Sequence, residues 1–580
     1  MLPGAGCATV KCVRILFSLL AFSLLPNLAL AQTDNWVGTM GAWSDPTHWD
    51  SGVPVAGDNI VIGTASANST DDFGLAIGTL TLSNSADSLT VADGVALNVS
   101  GTINNAGSIQ LASAGSNTYL LVTGNISLTG SGKLILGTTG PNYIQGASGA
   151  GTEVLTSANT IQGAGNIGNG VMGFVNSGTI NANTSAGSLF INVSAANFSN
   201  SGTLEATTGG SLVIQGPANS FTNYNSTTNT LTGGTYTANG GNIYFTGSAS
   251  GITTLAARVT QEASGQVINT TTGTNAFANL SSIPSGGVLT TTAGFTQSGA
   301  FSMLGSLNIL PKTVINVGSV TNISGTTLTG GQWVLDSNLN ITGTPANIVT
   351  NNSVFTLSGG TFQNTSNNTN AFANLAVNKS TLRILNFAHF NTVGNLTNSG
   401  QMTIAAGCKL TIGGTGKSYS QTGGKTTMDG MIIGAVNVNS GTFLGAGSIT
   451  GNVLVGGRTT GIFSPGDASK AGIFKITGGS YKQTATGKLT TAIGGTTVGT
   501  QYSQLQVTGT GTATLNGTLA APLLGAFVPS VGQTFTVLTA SSVTGTFTNT
   551  TIAINSSEHF AISYTATGVV LTVVAGPAAE

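Results

Sequence analysis

The feature that most constrains this chain is a short internal repeat. Phe174-Val-Asn-Ser-Gly-Thr-Ile-Asn-Ala182 is followed in register, 24 residues on, by Phe198-Ser-Asn-Ser-Gly-Thr-Leu-Glu-Ala206. Phe221-Thr-Asn223 comes 23 residues later, and Gly187-Ser-Leu-Phe-Ile191 returns at the same interval as Gly210-Ser-Leu-Val-Ile214. Within a unit the apolar period is two: Leu89 and Val91, then Val95, Leu97 and Val99, alternate with small or polar residues between Gly and Asn turns. A unit this short holds two or three strands and cannot enclose a core alone, whereas stacked copies bury a continuous column. The expected fold is all-β: a right-handed parallel β-helix (β-solenoid). Phe174, Phe198 and Phe221 are expected to form an inward aromatic ladder, and Asn176 and Asn200 an amide ladder beside it. Coils of 23–24 residues over 94–495, counted from residue 32, make roughly 19 turns and a rod of about 90 Å at ~4.8 Å per strand. A row of β-sandwich domains would need linkers about every 100 residues, and the sequence offers none.

Two longer repeats belong to the same pattern. Thr274-Asn-Ala-Phe-Ala-Asn-Leu280 reappears unchanged as Thr369-Asn-Ala-Phe-Ala-Asn-Leu375, 95 residues on, and Gly163-Ala-Gly-Asn-Ile167 is echoed by Gly445-Ala-Gly-Ser-Ile449. Asn-Ser-Gly recurs at Asn398 and Asn439.

Composition agrees. Only 5% of residues are charged and 85 are Gly, with net charge −1. So few Lys and Arg exclude the many phosphate contacts of nucleic-acid binding. Helices lose the Glu, Lys and Arg of their exposed faces. With 40% hydrophobic residues and mean hydropathy +0.27, the chain is unlike a disordered one.

The N-terminus reads as a signal peptide over 1–31. Lys11 and Arg14 precede the apolar run Ile15–Leu25, and Ala29-Leu30-Ala31 supplies the small-x-small cleavage pattern. The run is shorter than the ~20 residues of a membrane span, so an exported chain starting near Gln32 is expected, extracellular or at the cell surface, with no transmembrane segment after cleavage. Cys7 and Cys12 leave with the leader and Cys408 remains alone, so no intramolecular disulfide is available.

The two ends differ from the middle. Residues 32–93 hold half of the acids and Trp36, Trp43 and Trp49, three of the four Trp. Residues 496–580 lose the Asn-Ser-Gly unit. Solenoids must cover their terminal strand edges, so a Trp/Asp-rich N-terminal capping module (32–93) and a distinct C-terminal closing β module (496–580) are expected.

Several motifs, in order, carry a resemblance. Trp36-Val-Gly-Thr-Met-Gly-Ala-Trp43 with Trp49, Gly52-Val-Pro54 and Gly57-Asp58-Asn-Ile-Val-Ile62 resembles the opening module of bacterial autotransporter-passenger and haemagglutinin-like β-strand-repeat surface proteins. Gly445–Val453, Ser464-Pro-Gly-Asp467 and Tyr481-Lys-Gln-Thr484 resemble the end of their repeat region. Tyr502–Gly509, Pro529-Ser-Val-Gly-Gln-Thr-Phe535 and Gly545-Thr-Phe547 resemble the segment that closes it. The resemblance implies a β-helix passenger shown or released outside the cell, often adhesive. Two features depart from it. The usual Tyr-Asp-x-Leu is Tyr502-Ser503-Gln504-Leu505, and the residues after the repeats are too few for an outer-membrane barrel of even eight strands.

Chemistry-bearing groups are sparse. Asp45, His48, Asp50 and Asp58 could ligate Ca²⁺ or, through the His, a transition metal; Asp before Pro or Gly more simply nucleates turns. Glu153 and Glu205, 52 residues apart, are the one carboxylate pair that two coils could bring to one face, as glycoside hydrolysis would need. His389 and His559 have no neighbouring nucleophile motif. Gly163–Gly168 spells a dinucleotide fingerprint, but no helix follows it. Ten of the thirteen basic residues after the leader fall between Lys379 and Lys488, among them Lys409, Lys417, Lys425, Lys470, Lys475 and Lys482, and on one face they could touch anionic polysaccharide. The expected function is therefore a non-catalytic structural or adhesive rod. Its Thr/Ser/Asn-rich surface would touch glycans or other cell-surface components, without a cofactor. A secreted polysaccharide-degrading β-helix enzyme is the first alternative and an ice- or surface-binding solenoid the second.

Overall fold

A computed structural model describes residues 31–577 other than Ala65, Thr139 and Ala186. The expected leader up to residue 30 lies outside the described residues.

The chain is a three-sided parallel β-helix. Its first face stacks Ile103–Asn105, Ile126–Thr129, Val154–Ser157, Gly173–Asn176 and Phe198–Asn200. The second stacks Ser108–Leu111, Lys133–Leu136, Thr160–Gly163, Thr179–Ala182 and Thr203–Thr207. The third stacks Thr118–Val122, Asn142–Gly146, Gly165–Gly168, Ser188–Asn192 and Ser211–Gln215. Alternation puts Leu120, Val122, Ile144, Ile161, Ile180 and Leu204 inside at full burial, while the residues between them face out. The Gly163–Gly168 stretch is the corner between the second and third faces, which Gly163 turns at φ +111°; a Cβ there would strike the Leu136 carbonyl at 1.9 Å.

The expected ladders are present. Phe174 pairs with Phe198, Phe198 bridges to Phe221, and the rings stack at 5.7 and 5.3 Å. Asn176 Nδ2 donates to Asn200 Oδ1 (2.8 Å), and Asn223 continues the column by accepting the Asn200 N–H. A longer amide ladder on the same face runs Asn351→Asn378→Asn398→Gln421 at 2.8, 2.7 and 2.9 Å, every member buried. In the longer ladder the amides satisfy one another where an unpaired polar group would be costly; in the shorter one Asn176 Oδ1 and Asn200 Nδ2 stay buried without a partner among the described residues.

Coil length is not held at 23–24. Lys425 pairs with Thr442, seventeen residues on, whereas Leu204 pairs with Tyr236, thirty-two on. Stacking fixes the rise per strand but leaves the corners free to take up extra residues.

The two Thr-Asn-Ala-Phe-Ala-Asn-Leu segments are one device used twice. Each folds back antiparallel on the third-face strand before it, Thr274–Asn275 on Val267–Asn269 and Thr369–Asn370 on Phe362–Asn364. Phe277 and Phe372 then enter the core, each held at the bend by a backbone N–H bond to the Asn two residues before it. At both places the third-face sheet ends and a new one begins downstream, while the other two faces continue.

The ends also differ from the expected boundaries. Within 32–93, Thr33–Trp36, Asn59–Ile62 and Leu80–Leu82 already stack as ordinary coils. At the other end parallel stacking runs on past 495: Gln504–Val507 lies on Ile473–Thr477 and Ser542–Gly545 on Thr512–Leu515. The antiparallel closing unit is Thr551–Ala553, Glu558–Thr565 and Gly568–Ala575, docked on Thr534–Thr539. The reason is physical: coils can continue with any small or β-branched residues, so losing the Asn-Ser-Gly signature does not mark the end of stacking.

Candidate functional site

At the N-terminal end the outer edge of Thr33–Trp36 is covered by the segment after the short 3₁₀ turn Pro46–His48. Val37 N–H donates to the His48 carbonyl (2.9 Å) and Asp50 N–H to the Asn35 carbonyl (3.1 Å), with Trp36 and Trp49 in antiparallel bridge. Trp36, Trp43 and Trp49 are buried together, their rings edge to face at 5.1 and 5.6 Å, and Trp49 Nε1 donates to the Trp43 carbonyl.

The carboxylates proposed as metal ligands are occupied by this local structure. Asp45 caps the 3₁₀ turn through Thr47 N–H and Oγ1, and the Thr47 hydroxyl bond leads in holding its carboxyl below the usual range. His48 Nδ1 lies 3.4 Å from Asp45, with the imidazole stacked on Trp36. Asp50 accepts from the Asn35 side chain and N–H, which lower its pKa in that order. Asp58 accepts from Gln32 and Val55 N–H. Among the described residues no three His, Cys, Asp or Glu side chains are grouped to hold a metal ion; of the candidates Asp45, His48, Asp50 and Asp58, each acid is engaged by its own turn or strand edge.

Other candidates are dispersed in the same way. Glu205 faces out from the second face between Asn181 and Thr237, with burial pushing its carboxyl up. Glu153 precedes a first-face strand, buried, and accepts Ser148 N–H, so the two carboxylates belong to different walls. The basic residues do not share a face. Lys409 and Lys475 stand on the third face, Lys425 and Lys488 on the second, and Lys482 on the first. The Thr row Thr160, Thr179, Thr203, Thr235 is in register but ends at Lys133 and Arg258, beside a column of Gln162, Asn181 and Glu205. His389 opens a third-face strand, and the His559 ring lies 2.8 Å from the Gly576 carbonyl in the closing unit.

One outward constellation was not read from the sequence. On the third face, Tyr119, Tyr143, Asn166, Phe190, Val213 and Tyr244 occupy one row, each paired with the next. All four aromatics lie on the outward parity and are half-exposed, flanked inside by buried Leu120, Ile144, Ile191 and Ile243. Tyr119 stacks on Tyr143 at 5.2 Å. Asn166 is shorter than its aromatic neighbours, which leaves a cleft of about 350 Å³ between Tyr143 and Phe190, lined also by Pro141, Asn142 and Ser188. Asn166 Oδ1 accepts Asn169 N–H, and among the described residues its Nδ2 has no acceptor. Beside this row runs a second outward column containing Asn98, Gln145, Asn192 and Gln215. The strands that build the surface, from Ala96–Val99 to Asn242–Phe245, contain no Asp, Glu, Lys or Arg.

Aromatic faces beside amide groups, with no charge, suit ligands that offer both C–H surface and hydroxyls. The signal was in the sequence as parity: in Thr-Tyr-Leu-Leu-Val and Asn-Tyr-Ile-Gln-Gly the Tyr is out of phase with the buried Leu120 and Ile144.

No family model matches this chain, and no curated protein matches it significantly.

Proposed function

We propose that this protein is an exported, non-catalytic adhesive rod that binds uncharged glycans along its third face between Ala96 and Phe245. The observation that supports this reading best is the in-register row of outward aromatics on a wall without ionic groups. A rod has little use for half-exposed Tyr and Phe rings as structure, since its core is already closed by the Leu and Ile beneath them. Carbohydrates need such rings for their C–H faces and amides for their hydroxyls. Display outside the cell follows from the leader and from the resemblance to passenger-type repeat proteins. Binding by repetition needs no proton-transfer pair, in keeping with Glu153 and Glu205 standing on different walls.

The test is a glycan array probed with the chain from Gln32, alongside an assay for released reducing ends. Binding to neutral glycans without release, lost in a Tyr143→Ala/Phe190→Ala double variant that keeps its circular-dichroism spectrum, is the expected result. Release of reducing ends, or binding unchanged in the double variant, would overturn the reading.

A further inference from the structure

The spacing of the aromatic row speaks to the shape of the glycan. In a solenoid the distance between outward residues along the rod depends only on the number of coils between them, at ~4.8 Å each. Tyr143 and Phe190 are separated by one intervening coil, at Asn166, and Phe190 and Tyr244 by another, at Val213. Aromatic contact therefore recurs every second coil, roughly 10 Å, although the sequence intervals differ. Tyr119, one coil before Tyr143, stacks on it and supports its ring instead of adding a step.

We infer that the third face binds a straight, neutral, β-(1→4)-linked polysaccharide lying parallel to the rod axis, with alternate sugars resting at Tyr143, Phe190 and Tyr244. In such a chain successive sugars are turned over, so the same face of the ring returns once per disaccharide, and that repeat is close to two coils. Gln145, Asn192 and Gln215 run alongside in a column broken by Gly168, where they can meet the equatorial hydroxyls at the chain's edge. Asn166 Nδ2, without an acceptor among the described residues, lies in the cleft between the first two contacts. Chains that coil, such as α-(1→4)- or β-(1→3)-glucans, cannot keep three equivalent contacts on one straight row. The wall carries no cation for a uronic acid or sulfate ester and no anion for a glucosamine, so the ligand class is uncharged.

This inference rests on the glycan-binding reading and goes further by fixing linkage and length. Isothermal titration of the chain from Gln32 with cello-oligosaccharides of two to six sugars, with glucomannan, and with amylose as the coiled control tests it. Affinity should rise at least tenfold from the dimer to the pentamer and then level off, because Tyr143 to Tyr244 spans about five sugars. Amylose should bind at least tenfold more weakly than glucomannan per chain. Phe190→Ala, which removes the middle contact, should lower pentamer affinity at least tenfold and flatten the length dependence. Equal affinity for dimer and hexamer, or preference for amylose, would overturn the straight-chain inference while glycan binding itself stood. Array binding only to other glycan classes would do the same. No binding to any glycan would sink both.

Discussion

Replacing Asn378 by Ala tests whether the interior amide ladder holds its coils together. Asn378 is fully buried; its Nδ2 donates to Asn398 Oδ1 (2.7 Å) and to the Gln401 carbonyl (3.0 Å), and its Oδ1 accepts from Asn351 (2.8 Å). Asn351 keeps other acceptors, at the Ser353 and Thr381 carbonyls, so its loss is partial. Asn398 Oδ1 and the Gln401 carbonyl are left facing a cavity. At ~1–3 kcal/mol per orphaned buried group the change costs about 2–6 kcal/mol, with the lower figure if water enters and bridges them. Because each coil touches only its neighbours, the effect should be local. Hydrogen exchange read by mass spectrometry should show peptides covering 350–351, 377–378 and 396–398 opening at least ~30-fold faster, the equivalent of ~2 kcal/mol. Peptides covering Phe174 and Phe198 should be unchanged. Asn378→Asp should do at least as much damage near neutral pH, since it replaces a donor with a buried carboxylate facing acceptors, and should recover as acid restores the donor. Exchange within fivefold of wild type in Asn378→Ala, or a uniform increase along the rod, would refute the reasoning.

Two further outcomes follow from the N-terminal coils. Asp71 is buried, with one oxygen on Phe73 and Gly74 N–H and the other unpartnered, and burial pushes its carboxyl up to about 6. A raised folded pKa means its contribution is full below about pH 4 and lost as pH rises through about 6, worth about 3 kcal/mol; urea unfolding of Asp71→Asn against wild type should show the difference between them shifting by that amount from pH 4 to 7, and parallel pH profiles would contradict it. Deleting 32–50 removes the self-paired edge and the three buried Trp, so light scattering should show a concentration-dependent rise in mass beyond that of the chain from Gln32; a deletion variant with the same mass as that chain would count against the capping role.

The parallel coil and its inward ladders were legible because Phe174, Phe198 and Phe221 keep a near-constant interval, the first two beside Asn-Ser-Gly and the third beside Asn223. The longer amide ladder was not: Asn351 and Asn378 retain only the Asn of that motif, and Gln421 not even that. The motif also misleads at Asn439, where Val438 takes the inward position that continues from Gln421. The outward aromatic row was hidden by unequal coils. Tyr143, Phe190 and Tyr244 are unevenly spaced in sequence, and only strand pairing reveals that each step crosses two coils. The acids near the N-terminus looked like a cluster because they are close in sequence, but Asp45, Asp50 and Asp58 each serve a separate turn or strand edge.

The two fold-back segments at Thr274–Asn275 and Thr369–Asn370 interrupt hydrogen bonding on one wall of the rod while the other two run through. In mechanical terms the molecule is a three-flanged beam whose third flange is cut at two levels and whose first flange folds back at two others, Tyr224–Leu231 and Ile323–Leu328. Under sideways load, curvature gathers at the levels where a flange is interrupted. The outward aromatic row from Tyr119 to Tyr244 lies before the first cut in the third face, within an uninterrupted stretch of that face. On that face no break falls within the row, so its spacing is set by continuous parallel pairing alone.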